Sequence, residues 1–187
     1  MNPHNPKISI ITSTLNSAKT LPDLIESISM QTFKEFEWVI VDSASDDGTI
    51  ELLEKSGLVN KLISEKDSGI YEAWNKGLEV ANGQYICFIG SDDVFEESNS
   101  LQLIANSISE EVDIITARVR VINQYNTTIK LYGNSWSHSD IKKSQNIAHP
   151  GALFRSELFK DYGNFKESYK IAGDYEWLLR LNKDVTA

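Results

Sequence analysis

An α/β fold with a doubly wound, mostly parallel sheet is what this sequence predicts. Two observations lead there. Apolar, β-branched runs alternate with amphipathic helical stretches from Lys7 to Val121. Acidic residues also collect just after the strand-like runs rather than scattering over helix faces. There is no internal repeat, low-complexity tract or Pro/Gly-rich linker, so 1–187 is expected to form one domain.

The elements follow in order. Lys7 to Thr14 carries Ile8, Ile10, Ile11 and Thr12, as a buried parallel strand should. Asn16-Ser17 breaks it, and Thr20-Leu21-Pro22 opens a helix with Leu21, Leu24, Ile25 and Ile28 at helical spacing. Phe36 to Val41 is the second strand, ending at Asp42. A short helix over Gly48 to Lys55 leads to a third strand, Lys61 to Ser64. Ile70 to Ala81 is a helix stopped by Asn82-Gly83. Tyr85 to Ile89 is the fourth strand, ending at Gly90-Ser91-Asp92-Asp93. A helix over Ser98 to Ile108 and a strand over Asp113 to Val121 follow. Beyond Val121 the order changes. Residues 123–146 are polar and irregular, with a short antiparallel hairpin and a mobile loop expected. Ala152 to Phe154 reads as a strand, and Ser156 to Tyr162 and Ala172 to Leu181 read as helices.

Composition narrows the function classes. At 187 residues the chain can bury a proper core. The net charge of -9 argues against a nucleic-acid partner, which demands a basic stripe. It allows one bound nucleotide, because a cation can offset phosphate charge locally. The single cysteine, Cys87, cannot form an internal disulfide, and its apolar run reads it as a buried hydrophobe. A cytoplasmic location fits that usage. No apolar run approaches the ~20 residues of a membrane span. Residues 1–7 lack the order of a secretory signal. Peripheral contact at the inner face of a membrane stays compatible, although no basic amphipathic helix stands out to drive it.

Ligands of open α/β sheets bind at the carboxyl ends of strands. Here those ends carry Ser13-Thr14, Asp42, Asp67 and Asp92-Asp93. Adjacent carboxylates repel unless a cation or donors compensate. Residues leaving a strand point in different directions. One of Asp92 and Asp93 is therefore assigned to a metal and the other to a hydroxyl such as a ribose. A hard ion, Mg2+ or Mn2+, held by one or two carboxylates and completed by diphosphate oxygens is the expected arrangement. The alternative is an Asp-rich turn capping the next helix. Asp42 ends an apolar strand, where a carboxylate can accept from a nucleobase N–H such as that of uracil. Asp46 or Asp47 is read as a helix cap.

A family resemblance rests on motifs in a fixed order. They are Lys7-Ile-Ser-Ile-Ile-Thr-Ser-Thr-Leu-Asn16, Val41-Asp-Ser-Ala-Ser-Asp-Asp-Gly-Thr49 and Glu65-Lys-Asp-Ser-Gly-Ile-Tyr-Glu-Ala-Trp-Asn-Lys-Gly77. Gly83-Gln-Tyr-Ile-Cys-Phe-Ile-Gly-Ser-Asp-Asp93, His149-Pro-Gly-Ala-Leu-Phe-Arg155 and Ala172-Gly-Asp-Tyr-Glu-Trp-Leu-Leu-Arg180 complete the set. Together they resemble family 2 glycosyltransferases of the GT-A fold, over nearly the whole chain.

The resemblance implies a Rossmann-like, mostly parallel twisted sheet flanked by helices, with a smaller antiparallel acceptor-side portion. Residues 1–121 would bind the nucleotide-sugar and 122–187 would serve the acceptor side, shortened at the C-terminus. It implies an inverting transfer from a nucleotide diphosphate sugar, with a UDP-sugar favoured, to a glycan or lipid-linked glycan hydroxyl, and a place in polysaccharide biosynthesis. By position Asp42 would read the base, Ser13 and Asp67 would line the nucleotide, Asp92 would reach the ribose and Asp93 would hold the metal. Asp174 would be the general base; its alternative is a plain helix cap. Gly173 stands where the family often has Glu. Ser17, with Lys19 further on, stands where a basic residue sometimes follows Asn16.

Other residues are divided between structural and ligand roles. His149 is a structural histidine or a contact to donor sugar or acceptor. Trp136, in a polar segment, is a candidate acceptor platform, whereas Trp74 and Trp177 are expected in the core. Arg180 is expected in a structural ion pair, and His4 and His138 at the surface. Two rivals are a sugar nucleotidyltransferase and a non-catalytic nucleotide-sugar-binding domain. The first lacks its Gly-rich, basic loop after the first strand. The second predicts donor binding without turnover.

Overall fold

The computed structural model describes residues 6–187; His4 lies outside them. The elements run β1 (Ile8–Thr14), α1 (Leu21–Ser29), β2 (Phe36–Asp42), α2 (Thr49–Ser56), β3 (Lys61–Ser64), α3 (Ile70–Val80) and β4 (Tyr85–Phe88). Then come α4 (Ser100–Ala105), β5 (Ile114–Ile115), β6 (Val119–Ile122), β7 (Thr128–Tyr132), α5 (His138–Ile141), β8 (Leu153–Arg155), α6 (Glu157–Tyr162) and α7 (Gly173–Arg180). The main sheet has the order β3-β2-β1-β4-β8-β5, and β6 and β7 form a separate ribbon. β1 to β4 are mutually parallel, and β8 runs antiparallel to both its neighbours.

Strand alternation divides the core in two. Ile11, Val39, Ile86, Phe88 and Phe154 face one side, and α3, α6 and α7 cover them with Tyr71, Leu158, Phe159 and Trp177. Ile10, Trp38, Ile40, Cys87 and Leu153 face the other, under Leu21, Leu24, Ile28, Leu53 and Leu101. Helices on both faces leave the sheet no solvated side, so its strands read as near-continuous apolar runs. Cys87 is buried as expected.

The expected strand Asp113–Val121 is a point of difference. It divides into β5, inside the main sheet, and β6, outside it. Arg118 and Arg120 explain the departure. A sheet covered on both faces cannot take alternating charges, so the chain leaves it after Ile115 and pairs with β7. The hairpin therefore begins at Val119, earlier than the irregular segment in which it was expected.

β2 carries a buried carboxylate near each end. At its start, Glu37 accepts from Ser9 Oγ (2.6 Å) and the Asn82 backbone N–H, and pairs with Lys61 at 3.0 Å. Burial alone would raise its pKa. The Ser9 and Asn82 hydrogen bonds and the Lys61 ammonium outweigh burial and hold it below the ordinary value. This node stitches β1, β2, β3 and the turn before β4 together at the edge away from the strands' carboxyl ends.

Glu37→Gln should therefore lower stability by about 1–3 kcal/mol, because the amide cannot satisfy every donor. That corresponds to a Tm lower by about 3–10 °C, measurable by thermal denaturation at neutral pH. A carboxylate with a depressed pKa stabilises above its unfolded pKa and loses that contribution as pH falls through the folded one. The gap between wild type and variant should accordingly narrow below about pH 4.

Candidate active site

The carboxyl edge of the parallel strands gathers most of the reactive side chains. Thr14, Asp42 and Ser64 are register partners at the ends of β1, β2 and β3. Asp42 is 0% exposed. One of its oxygens accepts from Thr14 Oγ1 (2.8 Å) and Ser45 Oγ (2.5 Å), the other from Ser45 N (2.8 Å) and Ser64 Oγ (2.9 Å). Burial alone would raise its pKa; these donors outweigh it and hold the carboxyl below the usual value. A carboxylate offers about four acceptor sites, and here all are taken. The expected role of Asp42 as reader of a nucleobase is thereby corrected. It has neither surface nor lone pair to offer, and it is the buried tie of three strand ends.

The next residue, Ser43, points the other way and is half-buried. Its hydroxyl accepts from the Asp67 backbone N–H at 3.3 Å, while Asp67 Oδ1 accepts from Gly69 N at 2.9 Å. Ser13, also half-buried, closes β1 beside them. The loop after β1 is laced to the loop after β2. Asn16 N donates to Ser45 Oγ, Ala18 N to Asp47 Oδ2, and Ser17 N to Thr49 Oγ1. Asp47 also accepts from Thr49 N at 3.1 Å, so it does steady the entry of α2. Ser17 Oγ reaches Ser91 Oγ at 2.9 Å, which joins these loops to the turn after β4.

That turn holds Asp92 and Asp93. A Cβ placed on Gly90 would sit 2.8 Å from Asp92 Oδ1 and 2.9 Å from Asp93 Oδ2, so only a glycine lets both carboxylates fold over the backbone here. Asp93 accepts one hydrogen bond, from Gly90 N at 3.0 Å. Burial, and secondarily the Asp92 charge, raise its pKa. Asp92 is exposed. Two hard-oxygen groups converging with few donors to neutralise them fit a divalent cation. Among the described residues no cluster of three or more His, Cys, Asp or Glu side chains could cage a metal alone. The remaining ligands would have to come from a bound diphosphate or water.

Asp174 lies in the first turn of α7, held from two sides. Tyr71 Oη donates to Oδ1 (3.2 Å) and Gln145 Nε2 to Oδ2 (2.6 Å). Tyr71 in turn accepts from Gly173 N at 2.7 Å. A Cβ on Gly173 would meet the Tyr71 ring at 2.8 Å, so glycine at this position is what admits the tyrosine. Tyr71 opens α3, which starts at the carboxyl edge of β3; Asp174 is thus drawn to the edge that carries Asp92 and Asp93. Lys170 Nζ donating to Ser68 O at 2.6 Å fixes the same approach. Ala172 and Ala44 both adopt left-handed backbone, at φ 61° and 55°. Strain of this kind gathers beside functional side chains.

His149 is corrected towards structure. His149 is 3% exposed and stacks on Trp74, with ring centroids 5.0 Å apart at 10°. Phe88, Phe154 and Phe165 surround it, and neither ring nitrogen has a hydrogen-bond partner among the described residues. No sugar can reach it there. Burial pushes its pKa down to about 4, against the opposing pull of Asp174. Trp136 is half-buried; it packs against the core and donates its indole N–H to Val185 O at 3.1 Å. Arg180 serves structure as expected, donating to Tyr162 O and Asn164 O.

Sequence reasoning missed Ser43, Tyr71 and Gln145. Strand alternation beside Asp42 was a usable signal for Ser43. Nothing local marks Tyr71 or Gln145, which meet Asp174 across 103 and 29 residues of chain.

The chain is similar to known proteins in both sequence and fold. The family described as Glycosyl transferase family 2 matches residues 9–175. A PGL/p-HBAD biosynthesis glycosyltransferase of Mycobacterium bovis is 31% identical over 179 residues, covering 94% of this chain and 69% of that protein. The structure of Staphylococcus aureus TarS 1-349 in complex with UDP-GlcNAc superposes with a TM-score of 0.79 at 26% identity, covering 93% of this chain and 52% of that one. Glucosyl-3-phosphoglycerate synthase of Mycobacterium tuberculosis shares the fold, with a TM-score of 0.65 at 18% identity, over 97% of this chain and 69% of that one. The chain thus spans about half the length of the solved TarS fragment.

The buried imidazole makes a pH prediction. Unfolded His149 takes a proton near its ordinary pKa of 6.5, whereas the folded group resists until about 4. In that window the unfolded state binds more protons, so stability falls as pH drops. His149→Phe, which loses no hydrogen bond, should hold Tm within about 5 °C of wild type at pH 7.5. It should also lose less stability than wild type between pH 6.5 and pH 4.5, as read by thermal melts across pH.

Proposed function

The chain belongs to glycosyl transferase family 2, and on that premise we propose that it transfers a sugar from a UDP-sugar to an acceptor hydroxyl with inversion. The observation that carries this reading is Asp174, a carboxylate fixed by Tyr71 and Gln145 at the sheet edge that also bears Asp92 and Asp93. The UDP-GlcNAc complex of the TarS fragment supports uridine as the base.

Donor binding falls to residues 1–121 in this reading. Ser13, Ser43 and Asp67 line the nucleoside, and the exposed Asp92 meets the ribose. Asp93 would hold a Mg2+ or Mn2+ ion, which when bound supplies Lewis-acid stabilisation of charge on the departing diphosphate. The raised pKa of Asp93 gives it a reason to take a cation, since positive charge relieves both burial and the Asp92 repulsion.

Acceptor activation falls to residues 122–187. Asp174 keeps acceptor capacity, because only two donors occupy its oxygens. It takes the proton of the attacking hydroxyl while Tyr71 and Gln145 fix its orientation. A glycan or lipid-linked glycan is the proposed acceptor, in the assembly of a polysaccharide or glycolipid.

Thermal shifts with UDP-, GDP- and dTDP-sugars, each with and without MnCl2, test the donor class. At ~100 times Kd, UDP-sugar with Mn2+ should raise Tm by about 5–10 °C, and UDP-sugar without metal by far less. Asp93→Asn should remove the metal dependence. Asp174→Asn should keep the donor shift but lower release of UDP from the UDP-sugar by about 10²–10⁴-fold. Undiminished turnover in that variant would remove Asp174 as the base and favour a different carboxylate.

A further inference from the structure

The β6–β7 ribbon stands apart from the rest of the molecule in charge and in cover. Between Ile114 and Phe154 there are five basic residues and one acid, Asp140, in a chain of net charge -9. Ile129 and Leu131 share one face of β7 and are 67% and 61% exposed; Tyr125, at the turn, is 78% exposed. Arg120 is the cross-strand partner of Leu131, and Lys130 lies over the Tyr132 ring at 4.8 Å. Among the described residues Arg118, Lys130 and Lys142 have no carboxylate partner within ion-pair distance.

The ribbon also borders the catalytic cleft. Its root is tied to Gln145 by the Tyr132 hydroxyl at 3.1 Å, and Gln145 itself holds Asp174. Arg120 pairs with Glu96, three residues beyond Asp93, at 2.8 Å. A surface bound by the ribbon would therefore lie beside the acceptor side of the site.

We propose that this ribbon docks on an anionic lipid bilayer. Ile129 and Leu131 enter the headgroup boundary beside Arg120, which shares Leu131's face, while Lys130 on the opposite face of β7, with Arg118 and Lys142, draws the ribbon to the anionic surface at longer range. Exposed aliphatic side chains within a basic stretch suit a surface that is apolar below and negative above. Long basic side chains reach the phosphates while their stems stay in apolar surroundings. A second copy of the chain fits worse, because a two-fold contact would set these cations against their own images. Nucleic acid fits worse too, since aliphatic tips offer nothing to bases and the rest of the chain repels phosphate. The inference needs no turnover and stands apart from the catalytic reading.

Co-sedimentation of the whole chain with extruded vesicles tests it. The vesicles are phosphatidylcholine alone, or with one part phosphatidylglycerol to two. Binding is expected only with phosphatidylglycerol, and raised salt should weaken it. Lys130→Glu should lower partitioning by about tenfold or more. The double variant Ile129→Ser, Leu131→Ser should abolish it while leaving Tm unchanged, both side chains being exposed. Equal binding to both vesicle types, no binding to either, or full binding by the double variant would each overturn the proposal. So would a wild-type dimer in sedimentation equilibrium that the same double variant dissolves, which would make the face a self-interface.

Discussion

A carboxylate sealed inside a protein must be given hydrogen-bond donors, and at Asp42 this demand organises the whole carboxyl edge of the sheet. The side chain has no contact with solvent, and Thr14, Ser45 and Ser64 supply every donor it can use. Three strand ends and the loop after β2 are thereby locked in one register. Ala44 accepts a left-handed backbone so that Ser45 can turn back onto the carboxylate. The loops that follow take their positions from this tie: Asn16 leans on Ser45, Ser17 on Thr49, and Asp67 on Ser43.

Seen from that node, the carboxylates of the edge form a series in how fully they are satisfied. Asp42 accepts four hydrogen bonds, Asp174 two and Asp93 one. A saturated carboxylate can only hold structure. One with two donors is oriented yet still able to accept a proton. One that is half-buried with a single donor beside a second acid is short of positive charge, which a cation would supply. Under the proposed function the same residue type would serve three purposes at this edge, and the count of donors, more than the identity of the residue, separates them.

The sequence carried the sheet and its helices well, because burial on both faces writes itself into apolar runs such as Ile8–Ile11 and Tyr85–Phe88. It also brought Asp92, Asp93 and Asp174 to notice through motif order. It misread Asp42, since the last residue of a buried strand can face either into the tie or out to ligand, and only the neighbours' donors decide which. His149 and Trp136 were ambiguous for a related reason: an aromatic ring shows no sign, in sequence, of the rings that enclose it. The Tyr71 and Gln145 contacts to Asp174 are long-range pairings with no local signature. The split of β5 from β6 was written in Arg118 and Arg120, charges that a two-sided sheet cannot cover.

The central claim is spatial: a pyrophosphate lies between the Ser43–Asp67 loops and the Asp93 turn, with the sugar directed at Asp174. The most direct measurement is a crystal structure of the protein soaked with UDP and MnCl2. The account predicts uracil beside Ser43 and Asp67, an anomalous manganese peak on Asp93, and the terminal phosphate on the Asp174 side. Nucleotide or manganese bound at another surface, with this edge left vacant, would contradict it.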